Sequence, residues 1–304
     1  MNEADALRAA ALLESAGFRP VPHAREAAFL LLNTCVVRQQ AEDKALSRLT
    51  YVAELKRKNP ALLVVLMGCL VGKNPDELPA LRARFPFVDL FLPPSDPAAL
   101  RHLLRQHGFE PPAEAELDNL PPLPGSLAGH AIVAHLPVVL GCSHACTYCV
   151  IPYRRGGERS RPSAEILAEA AQLASRGVRE IILLGQIVDR YGLDRPGEIH
   201  LPDLLRRIAA IPGIARVRFL TSHPKWITDE LIATVATTPG LSPYFEIPVQ
   251  AGADAVLAAM RRGYTAAEYE NLVEKIRTAI PAVGISTDMI VGFPGETHAQ
   301  FEDS

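Results

Sequence analysis

Apolar positions along the chain follow two alternating rhythms, one helical and one extended, and the alternation predicts the fold class. Residues 4–15 read as a helix that Gly17 is placed to end. Residues 29–32 form a short apolar run and predict a buried strand, and residues 38–58 a long helix stopping before Pro60. A second strand is expected at 62–67, then an N-cap and first helical position at Asn74-Pro75. A third strand is expected at 87–92, and Asp96-Pro97 opens another capped helix. Residues 109–128, rich in proline and acid and without apolar periodicity, read as an interdomain linker. The alternation then resumes. Strands are expected at 138–141, 180–184, 217–220, 245–249 and 285–291, and helices at 164–175, 201–210, 229–236 and 266–279.

Strands alternating with helices imply parallel sheets with crossover connections. The fold class is therefore α/β, with a parallel-sheet domain over 1–108 and a (β/α) barrel, or part of one, over 129–304. Thr297 and Gln300 have the capping-box spacing, yet the sequence stops at Ser304, before two helical turns are complete. The first domain opens on a helix with no strand before it, so a chain trimmed at both ends is expected.

Composition narrows the function classes. The 304 residues suit two domains better than one, and 48% hydrophobic with 21% charged residues excludes a disordered tail protein. Lys and Arg number 31 against 34 Asp and Glu, which excludes a polycationic nucleic-acid binder; any RNA contact needs a local basic patch. The longest apolar stretches, 62–68 and 132–141, are too short to span a membrane, and the start MNEADALRAA is no secretion signal. A cytoplasmic protein without membrane contact is expected.

Five cysteines, an odd number at uneven spacing, argue against a disulfide framework. Three of them, Cys142, Cys146 and Cys149, form C-x3-C-x2-C just after a predicted strand, where α/β folds bind ligands. Structural zinc normally takes four protein ligands, and nothing at finger-like spacing follows Cys149. Three thiolates on a four-iron cluster leave one iron open to a substrate or cofactor. The simpler alternative is a zinc knuckle or a chance group of buried thiols. His144 reads as a spectator that shapes the loop. Cys35 and Cys69 are each ordinary as buried thiols, but both directly follow predicted strands and so emerge at one sheet edge.

The stretch GCSHACTYCVIPYRRGGERSRP resembles the cluster loop of radical S-adenosylmethionine enzymes, and more narrowly of the methylthiotransferases. LLNTCVVR and VLMGC are similar to that family's amino-terminal domain, and LLGQIVDRYG, FLTSHP, EIPVQAGAD and STDMIVGFPGET follow in the family's order. The resemblance implies that Cys142, Cys146 and Cys149 hold a [4Fe-4S] cluster whose open iron chelates S-adenosylmethionine. One electron then cleaves the sulfonium and releases a 5′-deoxyadenosyl radical. It also implies a second [4Fe-4S] cluster on three cysteines, of which Cys35 and Cys69 are two. The third falls in a Gly-Cys-Gln-Met-Asn stretch, two residues before Met1, so this chain offers two ligands.

Around the cofactor the resemblance points to Tyr148 beside the adenine, with an ordinary packing aromatic as the alternative. Gly185 and Gln186 fall near the methionine end, or simply terminate a strand. Gln250 and Asp288 fall at later strand ends, facing the ribose or satisfying backbone groups. Arg154, Arg155, Arg159 and Arg161 put four cations in eight residues with Glu158 the only acid among them, either an RNA phosphate-contacting patch or a solvated loop.

Thr221-Ser222-His223-Pro224 and CVIPYRRG favour the branch acting on tRNA that carries a prenylated adenosine beside the anticodon. The alternatives are threonylcarbamoyl-adenosine tRNA and a ribosomal-protein aspartate. Sulfur at the second cluster is then methylated by one S-adenosylmethionine, and a second one activates adenine C2 for methylthiolation. The expected partners are that tRNA and an electron donor such as flavodoxin or ferredoxin, with the chain a monomer. The family normally continues into a last barrel segment and a small β-rich (TRAM-type) RNA-binding domain, so an inactive iron–sulfur-binding fragment is the remaining alternative.

Overall fold

A computed structural model of the chain describes residues 1–96, 98–110, 123–127 and 129–304. The proposed linker therefore lies mostly outside the described residues, as does the Pro97 helix start. The chain divides into two compact units: Met1–Ala128 with Val150–Gly157, and Gly129–Cys149 with Glu158–Ser304.

The first unit is built on a parallel sheet of β1 (Phe29–Thr34), β2 (Leu63–Gly68) and β3 (Leu90–Leu92), in that spatial order. Every residue of β2 is buried because both faces of the sheet are covered. Val64 and Leu66 pack on one side with Leu49 and Val52 of α2 (Gln39–Lys58). Val65 and Met67 pack on the other with Leu12 of α1 (Asn2–Ser15) and Leu100 and Leu104 of α4 (Ala98–Gln106). That is why the strand reads as an unbroken apolar run.

Two expectations change here. The strand expected at 87–92 is half as long, because the Asp89 carboxylate takes the Val64 N–H at 2.7 Å and Lys56 at 2.9 Å. After Asn74, whose side chain accepts from Asp76 N–H at 3.1 Å, a single 3-10 turn (Pro75–Glu77) precedes α3 (Leu78–Arg84). The short helix α5 (Ile151–Arg155), which the periodicity does not announce, belongs to this unit.

The second unit holds a parallel sheet of β4 (Val133–Pro137), β7 (Glu180–Leu184) and β8 (Arg216–Leu220), and a parallel pair of β9 (Tyr244–Glu246) and β10 (Gly284–Ser286). Ser222 N–H donates to Glu246 O at 3.1 Å and carries the strand series from β8 to β9. Helices α6 (Ser163–Ser175), α7 (Leu201–Ala209), α8 (Asp229–Thr237), α9 (Asp254–Ala259) and α10 (Ala266–Ala279) connect the strands, and α11 (His298–Glu302) follows the last one. Among the described residues the strands do not close into a barrel.

The strand leading to the cysteine loop is β4, five residues earlier than the expected 138–141. Alternation of exposed Val133, buried Ala134 and buried Leu136 marks it. Val139 and Leu140 form the short β5, antiparallel to β6 (Arg159–Ser160), with Val139 packed against Gly185 at the end of β7. Strands β9 and β10 are shorter than expected, because the chain leaves the ladder early and rejoins it only at a Gln250–Met289 bridge. No helix among the described residues is long and apolar enough to cross a membrane.

Candidate functional site

Cys35 and Cys69 sit one residue beyond paired strand ends, since Thr34 is opposite Gly68 in the β1–β2 register. Cys69 N–H donates to Thr34 O at 3.0 Å, and Thr34 Oγ1 donates to Met67 O at 2.7 Å. Gly68 has φ +102°, and a Cβ there would stand 2.5 Å from Asn33 Oδ1 and Thr34 O, so only glycine fits. The start of α1 is stitched to the same edge: Asn2 Nδ2 donates to Thr34 O at 2.9 Å and Asn33 Nδ2 to Asn2 O at 2.6 Å. Burial pushes the Cys69 thiol up, and the nearby Arg155 guanidinium opposes the shift. The Asn33 Oδ1 atom is buried without a hydrogen-bond partner.

Arg155 is a buried cation, paired with the buried Asp5 at 3.4 Å and bonded to Asn2 Oδ1. Arg154 pairs with Glu77, and both contacts lie inside the first unit. In the second unit Arg161 donates to Pro137 O at 2.8 Å and pairs with Glu169 at 2.7 Å. The basic run is thus not an open patch. Three of its four guanidinium groups are committed to internal carboxylates, and Arg159 is the exposed one.

The loop Cys142–Cys149 takes its shape from side chains of distant segments. His144 N–H donates to Cys142 Sγ at 3.4 Å, and Cys149 N–H to Cys146 O at 3.1 Å. Trp226 Nε1–H donates to His144 Nε2 at 3.0 Å, so the neutral His144 ring carries its proton on Nδ1. Arg190 stacks 4.1 Å over Trp226 and pairs with Glu158 at 2.8 Å, while Glu158 N–H donates to Ser143 Oγ at 3.0 Å. Arg262, nearly buried, donates to Cys146 Sγ at 3.5 Å, to Tyr264 Oη at 3.1 Å and to Pro248 O at 3.2 Å. Desolvation pushes the Cys142 thiol up, and the His144 N–H counters it. Among the described residues no three His, Cys, Asp or Glu side chains are gathered as ligands of a single metal ion.

Of the remaining expected site residues, Tyr148 is exposed beside the third cysteine, and burial of part of its ring raises its hydroxyl pKa. Gly185 is demanded by packing, since a Cβ would meet the Val188 Cα at 2.9 Å and the Val139 side chain at 3.2 Å. It lets the chain turn at the end of β7 and leaves Gln186 half-buried at that strand end. Gln250 has φ +71°, a left-handed conformation that costs a non-glycine residue about 1–2 kcal/mol. Its N–H donates to Asp288 O at 3.0 Å, so Gln250 and Asp288 share one strand-end bridge.

The sequence reading passed over Arg262, Trp226 and Asp189. Trp226 is the chain's only tryptophan, a signal available from the start. Asp189 accepts from Ser222 Oγ at 2.8 Å and His223 N–H at 2.7 Å, and burial pushes its carboxyl up to about 7. No local pattern announces Arg262, whose cysteine partner lies 116 residues away in the sequence.

Residues 136–304 match the radical SAM superfamily, and residues 1–92 match the uncharacterized protein family UPF0004. The chain is 48% identical to the tRNA-2-methylthio-N(6)-dimethylallyladenosine synthase of Roseiflexus sp. (strain RS-1), over 99% of this chain and 62% of the relative. It is 45% identical to the synthase of that name from Chloroflexus aurantiacus, covering 100% of this chain and 64% of the relative. With that of Dehalococcoides mccartyi (strain ATCC BAA-2266) the figures are 44%, 100% and 68%. The chain thus spans about two thirds or less of the length of these relatives. Among solved structures it is similar to the radical S-adenosylmethionine methyltransferase TsrM from Kitasatospora setae, with TM-score 0.63 and 16% identity, over 95% of this chain and 62% of that one. It is also similar to the cobalamin-dependent radical enzyme OxsB, with TM-score 0.60 and 12% identity, over 90% of this chain and 42% of that one. At such identities these two share the fold alone. Sequence identity along its whole length, together with the two family matches, shows that the chain belongs to the radical SAM superfamily and, within it, to the tRNA methylthiotransferase family.

Proposed function

We propose that this chain carries the catalytic part of a tRNA methylthiotransferase acting at C2 of N6-isopentenyladenosine beside the anticodon, with S-adenosylmethionine as methyl donor and radical source. The observation that carries this reading is 48% identity over 99% of the chain to a synthase of that name. Membership of the radical SAM superfamily implies an iron–sulfur cluster and S-adenosylmethionine.

The residues present fit such a group. Cys142, Cys146 and Cys149 supply three thiols, two of which already receive N–H donors, and the buried His223 ring, packed on His144 of the same loop, has an Nε2 without a partner among the described residues. These three cysteines would hold the radical cluster, and Tyr148, Gln186, Gln250 and Asp288 would line the cofactor's place, with Gly185 setting the turn. Cys35 and Cys69 would contribute two ligands to a second cluster, with the Arg155 guanidinium favouring the Cys69 thiolate. When bound, the cluster and cofactor supply one-electron cleavage of the sulfonium. The chain's own residues orient them: Arg262 ties Cys146 to the carbonyl of Pro248, and Trp226 fixes the His144 tautomer. Arg159 is the phosphate contact we assign to the tRNA, while Arg155 and Arg161 hold structure. The electron donor we assign is flavodoxin or ferredoxin, and the chain acts as a monomer.

The test is anaerobic incubation with S-adenosylmethionine, reductant and one of three acceptors: prenylated tRNA, threonylcarbamoylated tRNA or the ribosomal protein. The expected result is methylthio transfer to the prenylated tRNA alone, with two S-adenosylmethionine molecules consumed per product. Transfer to another acceptor, or one consumed per product, would overturn it.

A further inference from the structure

His223 is 1% exposed, and its Nε2 has no hydrogen-bond partner among the described residues. Lys225 N–H donates to Nδ1 at 3.3 Å, so the proton of the neutral ring resides on Nε2. A buried N–H donor without an acceptor is costly, and native structures keep few of them. This one is held in place deliberately. The preceding Thr221 has φ +72°, an outlier for a β-branched residue, and the turn is pinned by Asp189 through Ser222 Oγ and His223 N–H. Burial and the charge of Arg262 push His223 down to about 3, so it stays neutral and keeps one N–H.

The ring lies among the groups that touch the cysteine loop. Its centroid is 4.9 Å from that of His144, whose N–H donates to Cys142 Sγ. On another side it is 5.5 Å from Tyr264, which shares Arg262 with Cys146 Sγ. His144 reaches a cysteine sulfur through its backbone N–H and Tyr264 through Arg262, while the nearby Pro248 and Val249 carbonyls already receive Arg262 and the Tyr264 hydroxyl. Sulfur is thus an acceptor that both neighbours lead to.

We propose that His223 is a contact residue of the radical centre, its Nε2–H donating to a sulfur of the cluster held by Cys142, Cys146 and Cys149. The inference rests on the cluster assignment above. A donor to cluster sulfur favours the reduced, more negative state and raises the reduction potential.

The experiment compares His223→Asn and His223→Gln with the parent, all carrying Cys35→Ala and Cys69→Ala so that one cluster is observed. Asn keeps an acceptor near the Nδ1 position and loses the reach of Nε2; Gln keeps the reach and loses the Nδ1 acceptor. Each chain is reconstituted anaerobically, its iron is counted, and its midpoint potential is read by EPR without S-adenosylmethionine. A parent that takes up no reducible cluster refutes the cluster assignment itself, and with it the inference. With about four irons in the parent, the expected result is a lower potential in His223→Asn and recovery of most of the shift in His223→Gln. Equal potentials in all three chains would overturn the proposal, as would equal shifts in both variants or a change seen only after adding S-adenosylmethionine. Loss of iron from both variants with unchanged circular dichroism would mark a packing role and overturn it too.

Discussion

The two cysteine groups are held by different kinds of structure. Cys35 and Cys69 leave neighbouring parallel strands at matched register, and their positions follow from backbone hydrogen bonds and from one obligatory glycine, Gly68. Cys142, Cys146 and Cys149 lie in a loop with no strand partner, fixed through its own His144 and by Arg262, Trp226, Arg190 and Glu158 from elsewhere in the second unit. The first arrangement is set by the sheet before any ligand arrives. The second depends on side chains from elsewhere in the unit, with Arg262 donating to Cys146 Sγ and the His144 backbone N–H to Cys142 Sγ.

The sharpest way to break this comparison is at Arg155, whose ion pair with Asp5 is buried in the first unit. Arg155→Met strands the Asp5 carboxylate inside the unit and should cost about 3–5 kcal/mol, measured by urea unfolding. Asp5→Asn combined with Arg155→Met should recover most of that loss; a double variant as unstable as the single one would contradict the pairing. Next in size is Gly68→Ala. The left-handed backbone and the 2.5 Å approach to Thr34 O together should cost about 2–4 kcal/mol by the same measurement. The loop from Cys142 to Cys149 itself holds no glycine, and the left-handed Gly141 stands directly before it.

How far each site was legible in the sequence follows from the same contrast. The C-x3-C-x2-C spacing is local, so the radical loop was found directly, and strand ends placed Cys35 and Cys69 at one edge. The helices of 201–210 and 266–279 lie where their apolar periodicity put them, give or take a residue. What the sequence hid was long-range. Arginines 154, 155 and 161 read as a patch because their carboxylate partners Glu77, Asp5 and Glu169 are not their neighbours in the cation run. The apolar run 132–141 concealed two short strands, β4 in the parallel sheet and β5 paired antiparallel with β6, because the sequence does not show which partner each residue takes. Arg262 and the unpartnered His223 N–H exist only once the chain has folded.

A further expected effect concerns pH and sharpens the loop side of the comparison. His223 has a folded-state pKa of about 3 against an ordinary value of 6.5, so between these the unfolded chain binds a proton that the folded site refuses. Stability present above pH 6.5 is therefore lost as pH falls towards about 3. His223→Asn should flatten this limb, seen as a smaller drop in Tm from pH 7 to pH 4 than in the parent. An unchanged slope would mean that the imidazole is not buried in its neutral form.

The most direct test of the central claim is iron and acid-labile sulfide per chain after anaerobic reconstitution, in the parent and in a Cys142→Ala, Cys146→Ala, Cys149→Ala triple variant. Two differently built sites predict about eight irons in the parent and about four in the variant, the remainder being held at Cys35 and Cys69. A variant that keeps the parent's full iron content would contradict the assignment of the loop as the radical centre.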